Sequence, residues 1–455
     1  MHFVPNLRVD LVPLPDLGGV PFDELLKGML RVGFEPRATR TLLEEASAKL
    51  PAPALRPHGV EDGGWLVQEH VLFPQSSTWW MVLREDEARW STPLPEESIL
   101  PVADFLRLAT HSENLEAIRE AWPFDDESWQ ERLFTPSLPG QRWPPTARPG
   151  IYRREHACLF IRSRTTGILV DPIGLQRRLL HMEKVPAGPA PEPLSAVAIT
   201  HGHVDHWHVP SLLAHLPRRD TPVIVPRVPR PSLLTFQDFE QTLRACGQQT
   251  LAPAWGETVR VGDIEIDILP FYGEQPVGAG DPLREGLRNW GNCYRFNTED
   301  FSCLLLVDSG ADPAGHMEQV VADSLRRRGP VDVVLACQRE FLSPFFGGLS
   351  HYWAALPWAR LQQLYRDYQQ GRLRSGTAGP TGAAALCATA KARSFLAYAN
   401  GFEGAGRPIT DVGWGEGEPS EAHCNAVMRE ELARRGSSTR VLEGCPGEVV
   451  HFERG

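Results

Sequence analysis

Leu194-Ser195-Ala196-Val197-Ala198-Ile199-Thr200 runs directly into His201-Gly202-His203-Val204-Asp205-His206. The first seven residues are nearly all apolar, the pattern of a strand buried on both faces, and residues 210–216 read as the start of a helix. Between them lies a loop that holds three imidazoles and a carboxylate within six residues. Residues two apart on an extended loop project the same way, so His201 and His203 can chelate one ion while Asp205 and His206 turn toward a second. That spacing suits a two-metal site.

The flanking sequence supports layers of strand and helix. Residues 156–162 (HACLFIR) and 167–171 (GILVD) read as the two strands of a hairpin. Residues 221–226 (TPVIVP) read as the next strand, 233–245 as a helix, and 258–270 as two strands turning at Gly262-Asp263. Strands alternating with helices are what α/β layers require. Residues 1–135 carry helical stretches such as 104–122 together with Trp79-Trp80, and read as a separate N-terminal domain. Five prolines then fall within residues 135–150 (TPSLPGQRWPPTARPG). Each fixes φ and removes a hydrogen-bond donor, so 136–150 reads as a linker, with 151–400 as the main domain. Residues 400–421 are rich in Gly and acidic side chains, and 401–455 reads as a C-terminal extension, either a tail or a small cap.

A net charge of −11 over 455 residues argues against nucleic acid or an anionic membrane as partner. No run of about 18 apolar residues occurs, and residues 1–19 lack a basic stretch followed by an apolar one, so a cytoplasmic protein is expected. The eight cysteines form no C-x-x-C pair and read as mostly buried, reduced thiols. Residues 375–385 (SGTAGPTGAAA) fit no phosphate-loop pattern and read as a loop before a helix over 386–399. Asp125-Asp126-Glu127 reads as a helix start or a solvated turn, and Arg326-Arg327-Arg328 as a solvated helix end rather than a dock for an acidic carrier protein.

The motif and its place after a strand resemble the metallo-β-lactamase superfamily over residues 151–400. The resemblance implies an α/β fold, a metallo-β-lactamase αββα sandwich, here preceded by a separate mixed α+β N-terminal domain. It implies that Asp171, in Leu169-Val170-Asp171-Pro172, supports the metal loop, and that Asp308, in Leu304-Leu305-Leu306-Val307-Asp308-Ser309-Gly310, bridges the metals. It matches the last histidine to His351, in Gly348-Leu349-Ser350-His351-Tyr352, with His316 and His423 as competitors. Hydrolytic members place a third histidine on the first metal; here Phe271-Tyr272-Gly273-Glu274-Gln275-Pro276 puts Glu274 in that place. The implied ligands are then His201, His203 and Glu274 on one ion, Asp205, His206 and His351 on the other, and Asp308 between them, with Glu274 and Asp308 the catalytic carboxylates. Three carboxylates favour a harder, higher-valent metal than the nitrogen-rich shell typical of catalytic zinc. Two iron ions are therefore expected, and two zinc ions if Glu274 is only a solvated loop residue.

Within the superfamily, Glu274, its FYGEQP context and the large N-terminal part resemble the di-iron β-hydroxylases of nonribosomal peptide biosynthesis, the chloramphenicol-pathway type among them. That resemblance implies a dioxygen-dependent monooxygenase of antibiotic biosynthesis, acting on an amino acid tethered to a carrier protein. It also implies an external electron donor and a homodimer in which the N-terminal domain shapes access to the site. The alternative is a di-zinc hydrolase, a lactonase or phosphodiesterase. Asp171, His208 and Tyr272 are candidates to stand behind the ligands, and Cys293 and Tyr294 to line the pocket or pack in the core.

Overall fold

The computed structural model describes residues 3–5, 8–75, 77–85, 88–111, 115–122, 134–136, 148–154, 156–172, 191–216, 218–345, 351–400, 420–443 and 449–451. Near the amino end, β1 (Arg8–Pro15), β2 (Ser77–Glu85) and β3 (Ala88–Leu94) form an antiparallel sheet in chain order. Helices α1 (Phe22–Arg31) and α2 (Pro36–Ser47) lie between its first two strands in sequence, and α3 (Glu96–His111) follows its last. The Glu35 carboxylate starts α2 by accepting from the N–H groups of Arg37 and Ala38, with Pro36 at the first turn, where its missing N–H costs nothing.

This mixed α+β unit has its own sheet but shares its buried surface with the rest of the chain. Leu11, Met81, Ile99 and Phe105 lie in one cluster with Trp207, Leu213 and Phe239. Leu26, Met29, Phe34 and Phe73 lie in another with Tyr352, Trp353 and Leu361. Of the proline-rich linker, residues 137–147 lie outside the described residues, as do 125–127.

The main domain is built from two seven-stranded sheets. The first contains β4 (Gly150–Arg153), β5 (Leu159–Arg162), β6 (Gly167–Val170), β7 (Ala196–Ala198), β8 (Val223–Ile224) and β9 (Thr250–Leu251), in the order β9-β8-β7-β6-β5-β4. The second contains β10 (Thr258–Val261), β11 (Ile264–Pro270), β12 (Asn292–Asn297), β13 (Ser302–Val307), β14 (Val333–Ala336) and β15 (Ser394–Ala397), in chain order. Side chains alternate between faces along a strand, and both faces of the first sheet are covered. Ile161, Ile168, Val170, Ala196 and Ala198 enter the core between the sheets, whereas Phe160, Leu169 and Val197 turn outward to α4 (Val209–His215) and α5 (Phe239–Ala245). Burial on both faces accounts for the continuous apolar runs in the sequence. On the other side, α6 (Met317–Arg328), α8 (Gly379–Ala390) and α9 (Glu421–Arg434) supply Val321, Leu386 and Met428 to the core of the second sheet; α7 (Trp358–Gln369) packs toward the N-terminal helices. The layers are αββα.

The reading of 401–455 as a tail or cap needs correction, because its described parts are integral to the sandwich. β16 (Arg440–Leu442) pairs in parallel with β15 and completes the second sheet, while β17 (Val449–His451) pairs antiparallel with β4 and completes the first. Each supplies hydrogen-bond partners to an edge that would otherwise be open. Residues 401–419 lie outside the described residues. The seven described cysteines are free and buried, and no helix among the described residues is long and apolar enough to cross a membrane.

Candidate metal centre

Strand pairing delivers the site. β6 and β7 run parallel with Val170 opposite Ala198, which sets Asp171, the residue after β6, beside Thr200 at the head of the histidine loop. Asp171 is fully buried and receives four hydrogen bonds: from Thr200 N at 2.8 Å, Thr200 Oγ1 at 2.6 Å, His206 Nδ1 at 2.9 Å and Tyr398 Oη at 3.2 Å. On the facing sheet β13 is irregular between Leu305 and Val307, and a bulge of this kind re-aims the residue that follows, here Asp308. Glu274 follows Gly273, whose φ of 113° and close approach to Gly310 N and Gly376 O leave no room for a side chain. Asp171, Glu274 and Val307 have φ of 41°, 49° and 44°, as do His156 and Ala399 at 50° and 59°. Left-handed backbone at non-glycine residues costs about 1–3 kcal/mol each and persists where the surroundings over-determine it, typically at functional sites.

The hydrogen-bond network assigns which nitrogen of each imidazole is left for a metal. Because the Thr200 hydroxyl donates to Asp171, it accepts from His201 Nδ1 at 3.0 Å and leaves His201 Nε2 facing inward. His206 donates from Nδ1 to Asp171, so its Nε2 faces inward. The Tyr352 hydroxyl donates to the Glu274 carbonyl at 3.0 Å and so accepts from His203 Nε2 at 3.0 Å, which leaves His203 Nδ1 inward. Fixing the tautomer through the outer nitrogen is how metal-binding imidazoles are commonly held.

The inward atoms converge on carboxylates. Glu274 Oε2 lies 3.2 Å from His201 Nε2, and Oε1 lies 3.1 Å from His203 Nδ1. Asp308 Oδ2 lies 3.1 Å from His206 Nε2 and 3.8 Å from His201 Nε2. The ligand atoms of His201, His203 and Glu274 form one compact group, those of His201, His206 and Asp308 a second, and those of His156, Asp205 and His206 a third. Asp308 Oδ1 and His206 Nε2 are buried without a hydrogen-bond partner among the described residues. With these tautomers His201 Nε2 and His203 Nδ1 are two acceptors 3.1 Å apart, a spacing at which both can chelate one cation lying to the side of the line between them. This donor set fits metal ions.

Charge at the site makes the same demand. Burial opposes the charged form of His206, but the Asp205 charge and the hydrogen bond to Asp171 raise its pKa well above the usual imidazole value. Burial pushes the Glu274 carboxyl up, yet the neighbouring His203 and His201 bring it down to about 2. Glu274 is therefore an anion ringed by imidazoles, and it is only 3% exposed. That burial rules out the reading of Glu274 as a solvated loop residue.

His351 does not join Asp205 and His206. Its ring lies beside Tyr352 and Phe22, with centroids 5.0 and 6.5 Å away, and burial together with the His203 charge pushes its pKa down to about 3. The short turn Tyr352–Ala355 brings in the tyrosine after it instead, whose hydroxyl reaches His203. On the Asp205 and His206 side stands His156, which the sequence analysis did not single out: its Nε2 is 3.1 Å from Asp205 Oδ2 and its ring centroid 4.9 Å from that of His206. Its one signal in the sequence is a histidine just before an apolar strand. Asn289 was also missed; its amide donates to Glu274 Oε2 at 3.3 Å. His316 and His423 are exposed at the starts of α6 and α9. His208 caps α4, with Nδ1 2.7 Å from Ser211 Oγ. Tyr272 packs over Gly315, and Cys293 and Tyr294 are core residues bonded to the carbonyls of Leu306 and Ile199.

Residues 166–397, just over half of the chain, match the model of a family described as a beta-lactamase superfamily domain. The 4-amino-L-phenylalanyl-(CmlP-peptidyl-carrier-protein) 3-hydroxylase of Streptomyces venezuelae is 27% identical over 299 residues, which span 63% of this chain and 50% of the relative. This chain thus matches about half the length of that relative. Among solved structures, CmlA, a diiron beta-hydroxylase from Streptomyces venezuelae, superposes with a TM-score of 0.55 at 17% identity over 100% of this chain and 99% of the other. A CmlA beta-hydroxylase variant gives the same TM-score and identity over 97% and 98%. At such identity the likeness concerns the fold, and it extends over the N-terminal unit as well as the sandwich.

Proposed function

Since the chain belongs to the beta-lactamase superfamily, we propose that it is a dioxygen-dependent di-iron monooxygenase that hydroxylates the β-carbon of an amino acid tethered to a peptidyl carrier protein. The observation that carries this reading is Glu274, a buried carboxylate set between His201 and His203 where a third imidazole would make a nitrogen-rich shell. With Asp205 and Asp308 it gives the centre three carboxylates, which stabilise oxidised iron better than imidazoles do. The hydroxylase names of the relative and of the superposed structure support the reaction class.

Two irons bound here would activate dioxygen, one oxygen atom entering the substrate C–H bond and the other leaving as water with two electrons from an external donor and two protons from solvent. The chain's own residues do the rest. His201, His203 and Glu274 would hold one ion, Asp205 and His206 the other, and Asp308 both. Asp171, Thr200 and Tyr352 hold the rings in the orientations a metal needs, so its binding displaces a proton from His206 without turning a ring. His201, Glu274 and Asp308 are at most 3% exposed, which keeps water from that side, whereas Val204 is 47% exposed and the Asp205 side chain 41%. The site therefore opens at Val204 and Asp205, and the tethered amino acid would approach there. The same reading carries a homodimer.

The test begins with metal analysis of protein from an iron-replete, zinc-containing culture. Reduced protein is then mixed with dioxygen and aminoacyl-loaded carrier proteins, and the intact mass of the loaded arm is measured. Two irons per chain and one oxygen atom added from labelled dioxygen are expected. Two zincs, no oxygen uptake and hydrolysis of a lactone or phosphodiester would replace this reading with a di-zinc hydrolase.

A further inference from the structure

Two features of the third ligand group point to His156, which lies outside the histidine motif. The first is where His156 sits: between β4 and β5, just ahead of the hairpin's second strand, on left-handed backbone and only 4% exposed. Its carbonyl accepts from Ala399 N at 3.3 Å, directly after β15, so both sheets fix its place. A polar side chain held on costly backbone in the interior is a placed group rather than a solvated one. The second feature is the spacing. Metal–ligand bonds of about 2.0–2.2 Å put neighbouring donor atoms about 2.8–3.6 Å apart at right-angled or tetrahedral geometry and about 4.0–4.4 Å apart across an octahedron. His156 Nε2 to Asp205 Oδ2 is 3.1 Å and His206 Nε2 to Asp205 Oδ2 is 3.9 Å, and all three donor atoms lie within 4.8 Å of one another. No movement of a sheet is needed for them to share an ion.

We infer that His156, and not His351, supplies the remaining imidazole to the second metal, alongside Asp205, His206 and Asp308. The second ion is then held by the hairpin β4–β5, the motif loop and the end of β13, all anchored to strands. The protein half of its shell becomes two imidazoles and two carboxylates. His351 packs against Tyr352 and Phe22 and belongs to none of the three ligand groups. This inference rests on the two-metal reading of the site but not on the identity of the metal or on oxygen chemistry.

The experiment reads metal directly. Wild-type protein, H156A and H351A are stripped, reloaded with cobalt(II), desalted and analysed for metal content, with far-ultraviolet circular dichroism as the check on folding. Wild type and H351A should each hold about two ions per chain and H156A about one, since losing one of few protein ligands weakens a site by orders of magnitude. H156A that holds two ions with an unchanged cobalt spectrum, or H351A that drops to one, overturns the inference. Should H156A fail to fold, H156C and H351C loaded with cobalt(II) decide the matter. A thiolate-to-cobalt charge-transfer band is expected in H156C alone, and its appearance in H351C alone overturns the assignment. Zinc in place of iron in the native protein would defeat the oxygenase reading and leave this result standing.

Discussion

His206 donates from Nδ1 to Asp171 at 2.9 Å while its Nε2 lies 3.1 Å from Asp308. One buried carboxylate that touches no candidate metal position thus orients an imidazole that does, and through Thr200 it orients His201 as well. In D171N the replacement amide would present a donor either to Thr200 N, which donates to Oδ1, or to the three donors that converge on Oδ2. Metal affinity should fall by about 10- to 100-fold, the usual effect of removing a group that orients a ligand. Competition with a chelator of known affinity measures this; an unchanged affinity would mean the loop holds its tautomers without Asp171.

Tyr352 acts on the opposite imidazole. Y352F removes the hydroxyl that accepts from His203 Nε2 and donates to the Glu274 carbonyl, leaving that buried carbonyl without this partner. Loss of such a bond costs about 1–3 kcal/mol, and His203 becomes free to adopt the wrong tautomer. The variant should melt at lower temperature with and without metal, and the gap should widen when metal is present. An equal loss in both states would make Tyr352 a packing residue only.

Much of this arrangement is legible in the sequence, and the limits have physical causes. The motif loop and Asp171 are marked by apolar strands that end in polar side chains, because strand periodicity is a local signal. Glu274 is legible through its offset after the strand that ends at Pro270. His156 is not, since nothing local links a histidine before β5 to a loop that follows β7; only the pairing of β5, β6 and β7 brings them together. The roles of His351 and Tyr352 differ by one residue, and on the short turn that follows this decides which side chain enters the site. The closing strands β16 and β17 are three residues each, too short to show a period, and are made strands by partners far away in sequence.

The N-terminal unit should not unfold by itself. Phe105 on α3 packs edge-on against Trp122 at a centroid distance of 4.9 Å and shares its cluster with Trp207, Leu213 and Phe239 of the main domain. F105A leaves a cavity on that shared surface and should cost about 3–5 kcal/mol. Urea unfolding followed by tryptophan fluorescence and by circular dichroism should shift to lower denaturant as one coincident transition. Two separated transitions, with only the first displaced, would show that the two units are energetically independent.

Glu274 decides what kind of centre this is. E274H exchanges a buried anion for a neutral ligand between His201 and His203, which lowers the negative charge of the shell by one and makes it richer in nitrogen. Borderline-soft zinc gains from that exchange and oxidised iron loses from it. From the same mixed-metal culture, the variant should carry a zinc-to-iron ratio raised by about tenfold or more over the wild type, a shift of ~1.4 kcal/mol in relative affinity. E274Q is the companion, because it keeps the shape and removes only the charge. It should lose metal from the His201 and His203 side without gaining zinc. Were E274H to retain the metal ratio of the wild type, the carboxylate would not be selecting the metal, and the case for iron would have to rest on some other group.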